Sequence, residues 1–175
     1  MSIIQKPNQK AMIQKDEFKT SFTPIADTTV EILILGSMPS EKSLLEQEYY
    51  AHPQNRFWRI LAALTNVPLP SRYSDKIQLL KDNNIAVWDV VHHAKRIGSL
   101  DSAIEQESPN DIESFLEHHR TIKTIGFNGK KSEALFDKYF NRKNHIRYIS
   151  LPSTSPANAG IGFEALCERW KLLLT

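Results

Sequence analysis

The chain has 175 residues, 41% hydrophobic and 24% charged, with 22 Lys plus Arg against 20 Asp plus Glu. That length suits one domain with a real apolar core, and a net charge of +2 neither demands nor forbids a nucleic-acid partner. The single Cys167 excludes an internal disulfide and a four-cysteine metal or iron–sulfur site; the apolar runs are too short to span a bilayer, and with no charged-then-apolar leader the expected location is cytoplasmic.

Residues 1–21 are rich in Lys and Gln and lack periodicity, which predicts an arm preceding a single domain over 22–175. The apolar run 30–35, ending at Gly36, predicts a buried strand. Phe57, Ile60, Leu61 and Leu64 recur at helical spacing over 56–64, and Pro68 and Pro70 mark a loop after them. A second helix is predicted over 74–81, then a strand over 85–91. Ser108-Pro109 predicts a helix start, with Ser as cap and Pro at the first helical position. A strand over 122–127, a helix over 130–140, a strand over 146–151 and a last helix carrying Phe163, Leu166, Trp170 and Leu173 complete the chain.

Apolar strands alternating with helices predict an α/β fold, its parallel sheet covered on both faces. Ligands of such sheets bind beyond the carboxyl ends of the strands. That rule selects four loops before any motif is considered: 36–40, the stretch from Asp89 onward, Asn128-Gly129, and 153–159. The single Gly that opens the first loop can be a plain turn or let backbone amides approach a ligand, and its surroundings have neither P-loop nor dinucleotide spacing. His92-His93 and His118-His119 are adjacent pairs that share no helix face, so no metal site is expected. No cofactor is expected either. Asn55 stands where an Asn often caps a helix, and Tyr50 where an aromatic ring can simply pack. Asp89 can likewise cap the turn after its strand. The basic residues Lys95, Arg96, Lys130 and Lys131 lie in loops at the same sheet end and are expected to follow phosphates.

Read together, Gly36-Ser37-Met38-Pro39, Ser43-Leu44 and Tyr49-Tyr50-Ala51-His52-Pro53-Gln54-Asn55-Arg56-Phe57-Trp58 resemble the first signature of the uracil-DNA glycosylase superfamily. They are most similar to its hypoxanthine-DNA (DNA-deoxyinosine) glycosylase branch. The His52-to-Trp58 part also resembles the mismatch-specific uracil/thymine branch. Trp88-Asp89-Val90-Val91, Gly98-Ser99-Leu100-Asp101, Phe127-Asn128-Gly129 and the stretch 151–159 follow in family order. The resemblance spans 22–174.

The resemblance implies a three-layer α/β/α sandwich with a four-stranded, mainly parallel sheet. It implies a monofunctional enzyme of base-excision repair, acting on double-stranded DNA as a monomer without metal or cofactor. Such an enzyme flips a deaminated base and hydrolyses its N-glycosidic bond, hypoxanthine first and uracil second. Asn55 matches the catalytic position and orients water. Tyr50 stacks on the base, and Gly36, Ser37, Met38, His52, Asp89 and Asn128 form the base pocket. Ser153, Ser155, Pro156, Ala157 and Asn158 match the loop that enters the minor groove. Met38 stands where other members of the superfamily often carry Asp or Asn, a polar residue that the hypoxanthine branch likewise lacks. Two positions depart from relatives: Ile97, where an acidic residue is common, and Ser40, where the branch usually has Gly. Ser40 puts substrate range in question, through a narrowed pocket or a forbidden positive φ. With Met38 it leaves open a lesion-binding protein without turnover. The same sheet end also suits a small-molecule nucleotide or nucleoside enzyme.

Overall fold

The computed structural model describes residues 18–175. Seven strands occur among them: β1 (Phe18–Thr20), β2 (Ile32–Gly36), β3 (Ile85–Asp89), β4 (Val91–Lys95), β5 (Glu105–Pro109), β6 (Thr124–Asn128) and β7 (Arg147–Leu151). Six α-helices accompany them: α1 (Glu41–Glu46), α2 (Phe57–Leu64), α3 (Tyr73–Asp82), α4 (Ile112–His118), α5 (Lys130–Tyr139) and α6 (Phe163–Trp170). The central sheet has four strands in the order β3-β2-β6-β7, all parallel.

Alternation along the strands builds the layers. Leu33, Leu35, Ala86, Trp88, Ile125 and Phe127 point to one face and meet Ile112, Phe115 and Leu116 of α4 with Leu135 and Phe136 of α5. Ile34, Ile85, Val87, Ile149 and Leu151 point to the other and meet α2, α3 and α6. Parallel strands buried on both faces need apolar residues at successive positions, which is why these runs are continuous rather than alternating. The expected three-layer sandwich is the observed one.

Beside it lies a three-stranded antiparallel sheet, β1-β4-β5, that the sequence reading lacked. The predicted strand 85–91 breaks after Asp89, and β4 turns away to join this second sheet. The predicted helix start at Ser108-Pro109 is corrected: both residues belong to β5, and α4 begins at Ile112, capped by Asp111, which accepts the amide of Ser114 at 3.0 Å. Pro109 sits at the end of an outer strand, where a missing N–H costs no ladder bond. The expected arm falls outside the described residues over 1–17, and Phe18–Thr20 is strand β1, paired with His93 to Lys95.

Candidate active site

Gly36, Asp89, Asn128 and Leu151 end the four parallel strands, and all four line one cavity of about 540 Å³. This is the place the sheet rule selects. Ser37, Met38, Tyr50, Asn55, Ser153, Ser155, Ala157 and Asn158 share its wall. So do Lys130 and Ser40. His52, Pro156, Lys95, Arg96 and Lys131 are not among the lining residues.

Asn55 reaches the cavity from the turn before α2. Its Oδ1 accepts the Phe57 amide at 3.0 Å, a turn bond at the entry of α2; the N-cap position is Arg56, without a side-chain cap, so the capping role foreseen for Asn55 is corrected to this turn bond. A carbonyl oxygen has two lone pairs, and the amide NH₂ adds two donors. The turn bond therefore fixes the side chain and leaves capacity for a water. Tyr50, next along this segment, has a left-handed backbone, φ 55°, which costs a non-glycine residue about 1–3 kcal/mol. Its ring stacks on Phe57 with centroids 3.8 Å apart. His52 instead shapes its own turn, its Nδ1 accepting the Gln54 amide at 3.2 Å.

The floor carries buried polar groups. Asp89 is 3% exposed, and its Oδ2 and the Tyr50 hydroxyl have no hydrogen-bond partner among the described residues. Burial pushes the Asp89 carboxyl up to about 8, the Arg96 charge opposing and the Asp101 charge adding to the rise. Burial, then the Asp89 charge, raises Tyr50 far above the ordinary phenol range against an opposing interaction with Asn128, so its hydroxyl stays protonated. Gly36 allows this arrangement: a Cβ there would stand 2.5 Å from Asp89 Oδ1 and 3.3 Å from the Tyr50 hydroxyl.

The 152–161 loop is held from two sides. Asn128 Nδ2 donates to Thr154 Oγ1 at 3.0 Å, and the Thr154 amide donates to Asn128 Oδ1 at 2.9 Å. Arg56 donates to the carbonyls of Ile161 and Asn158 at 2.6 and 2.7 Å. Asn158 donates back to the Ser153 carbonyl at 2.9 Å. Asn128 thus spends its amide on the loop, a role the motif did not reveal.

Two expectations are corrected. Arg96, expected on phosphates, is 1% exposed and donates to the carbonyls of Met38 and Pro39. Lys95 lies on β4 in register with Glu105, away from the cavity wall. Ser40 needs no positive φ: at φ −67° and ψ 164° it is the N-cap of α1, its Oγ accepting the Ser43 amide at 3.1 Å. Ser40→Gly should then lower stability by only a few tenths of a kcal/mol, roughly the cap difference. Thermal melts and single-turnover base release check this; a changed order of substrates would show that Ser40 does narrow the pocket. Asp101 and Arg169, which also line the cavity, were not singled out. Asp101 stood inside a quoted motif, whereas Arg169 reads only as the polar face of the last helix.

The model of the uracil DNA glycosylase superfamily matches residues 23–174. A protein of Methanosarcina acetivorans named hypoxanthine DNA glycosylase is 40% identical over 141 residues, 80% of this chain and 88% of its own. One of Methanosarcina barkeri with the same name is 40% identical over 115 residues, 65% of this chain and 73% of its own. The solution structure of a Methanosarcina acetivorans protein described as a candidate uracil DNA glycosylase superposes with a TM-score of 0.75 at 33% identity, covering 90% of this chain and 99% of that one. With a parallel-sheet sandwich of this topology, a cavity at its carboxyl end and a family match over nearly the whole described chain, the protein belongs to the uracil DNA glycosylase superfamily.

Proposed function

We propose that this chain is a monofunctional DNA glycosylase that releases hypoxanthine from deoxyinosine in duplex DNA, with uracil as a second substrate, in base-excision repair. The observation that carries the reading is the cavity floor: a buried carboxyl and a buried hydroxyl, both unpartnered, at the ends of parallel strands in a chain of this superfamily. Buried polar groups without partners are costly, and a ligand that supplies partners removes the cost. A protonated carboxyl offers an acceptor and a donor side by side, which complements an N–H beside a carbonyl. Hypoxanthine and uracil both present that edge.

The chemistry follows from the residues. The target base must leave the stack before it can be attacked, and the 153–159 loop at the rim supplies small side chains to hold the gap. Asn55 orients a water toward C1′ of the sugar. The water oxygen bonds to C1′ and the C1′–N bond breaks with its electron pair leaving on the base; the water then loses a proton to solvent and the base takes one up at nitrogen, so a C1′ hydroxyl and the neutral free base result. A weak water-orienting group suffices if the sugar has oxocarbenium character in the transition state. Negative charge grows on the base, where the protonated Asp89 carboxyl and the Tyr50 hydroxyl are placed to donate. The amides of Ser37 and Met38 have no acceptor among the described residues and belong to the same wall.

The test is a single-turnover assay on otherwise identical duplexes carrying deoxyinosine, deoxyuridine, deoxyxanthosine or mismatched thymidine. Hypoxanthine should be released fastest and the strand left uncut. No release from any duplex, with binding intact, would support a lesion-binding protein instead. Preference for a free nucleoside would support a nucleoside enzyme.

A pH dependence follows from Asp89. A carboxyl that acts as a donor must be protonated, and its pKa of about 8 keeps it so at neutral pH. Release should therefore fall as pH rises through about 8. Asp89→Asn, which cannot ionise, should flatten that limb. A limb that persists unchanged in the variant would remove Asp89 from this role.

A further inference from the structure

The loop that supplies Ser37, Met38 and Pro39 to the cavity is itself held by a second turn, 97–101, which adds Ser99, Leu100 and Asp101 to the lining. Arg96, the last residue before that turn, is a fully buried cation, 1% exposed. Its guanidinium donates to the Met38 carbonyl at 3.5 Å and to the Pro39 carbonyl. Asp101, at the far end of the turn, accepts the Ser37 hydroxyl at 2.5 Å. Ser99 Oγ accepts the Glu41 amide at 2.9 Å, and Lys19 ties the Gly98 carbonyl at 2.8 Å to the Glu41 carboxylate at 2.9 Å. Three successive residues of the site loop are therefore fastened by one arginine and one aspartate. Both of these charges act on Asp89, in opposite senses. The charged or titratable groups around this core are Arg96, Asp101, Asp89, Glu41, Tyr49 and Tyr50.

A buried guanidinium on two backbone carbonyls turns those carbonyls away from the cavity and fixes the peptide planes between them. We propose that Arg96 is a positioning residue of the glycosylase site, setting the 37–39 backbone through the Met38 and Pro39 carbonyls. It touches neither the base nor a phosphate. The inference rests on the glycosylase reading above.

The test uses the full chain and a deoxyinosine duplex, with Arg96→Gln, Arg96→Lys and Asp101→Asn compared with the unchanged protein. Arg96→Gln should lower the single-turnover rate by roughly 100-fold, the scale of a small misplacement of reacting groups. Apparent Kd should stay within about threefold, and the salt slope of binding should not change, whereas a lost phosphate contact would reduce that slope by about one. The alkaline limb should move in opposite directions in the two charge variants. Without the Arg96 charge Asp89 stays protonated to higher pH, so the limb moves up. Without the Asp101 charge Asp89 ionises earlier, so the limb moves down. Arg96→Lys should keep the limb in place while losing rate, because an ammonium keeps the charge but not the planar two-carbonyl fit. Should Arg96→Gln not fold, Arg96→Lys and Asp101→Asn carry the same test. A salt slope reduced by about one, limbs that do not move, or rates within about twofold of the unchanged protein would overturn the inference. No release by the unchanged protein would overturn the glycosylase reading itself, which separates the two failures.

Discussion

Asn55→Ala should lose about 1,000-fold in single-turnover release of hypoxanthine while keeping the fold, the scale expected when a water-positioning and charge-directing group is removed. Asn55 enters the cavity wall from the turn before α2, and Met38, which lines the same cavity, can take no proton and align no water. The substitution also deletes the acceptor for the Phe57 amide. That loss costs about 1 kcal/mol of stability, the scale of one hydrogen bond, and has to be separated from the catalytic effect. Asn55→Ser separates them. A serine hydroxyl can still accept that amide, yet it is shorter by one carbon and cannot reach as far into the cavity. If Asn55 orients water, Ser and Ala lose similar rate while denaturant midpoints recover only for Ser. A folded Asn55→Ala protein that retains release within about threefold of the parent would leave Asn55 with its turn bond alone.

The four central strands were legible because each is an unbroken apolar run, and burial on both faces of a parallel sheet demands that pattern. The helices α2, α5 and α6 were legible from their amphipathic stripes. The antiparallel sheet was not. β4 reads Val91-His92-His93-Ala94-Lys95, with only Val91 and Ala94 buried, and their i, i+3 spacing suits a helix face rather than the alternation of a strand. Its pairing with β5 includes register shifts at both intervals, so no period of two survives in the sequence. That pairing also overrode the helix-start signal at Ser108-Pro109. The short helix α1 carries one buried residue, Ser43, too little to leave a periodic trace.

Within the site, type and loop were legible and partner was not. Asp89 and Asn128 could be placed at strand ends, yet nothing local shows that Asn128 bonds Thr154 across 26 positions. Arg96 is the sharpest case. An arginine beside a lysine in a loop reads as a surface pair, and only the three-dimensional return of 96–101 onto 37–41 buries it. Local sequence reports how a residue can bond; which carbonyls stand within reach is a property of the whole sheet end.

Gly36→Ala should be the most damaging single-methyl change in the molecule, and it tests the floor of the cavity directly. Position 36 ends β2 opposite Asp89 in the register of the central sheet. An added Cβ would meet Asp89 Oδ1 at 2.5 Å, closer than carbon and oxygen tolerate, and the Tyr50 hydroxyl at 3.3 Å. The β2 and β3 backbones are locked by their ladder, so the side chains must yield. Asp89 then loses its place at the ligand edge, and Tyr50, stacked on Phe57, has little room to follow. Hypoxanthine release should fall by roughly 100-fold, and overpacking should lower stability by about 1–3 kcal/mol. The double variant Gly36→Ala/Asp89→Ala distinguishes crowding from a general defect of the strand. Removing the carboxyl makes space for the methyl group, so the double variant should be more stable than Gly36→Ala alone, while release stays low because the donor is gone. That non-additivity in denaturant unfolding, with no recovery of rate, is the expected signature of two groups in contact. Additive stabilities would mean that the methyl group and the carboxyl do not meet, and an unimpaired Gly36→Ala rate would mean that the floor is not where the base is read.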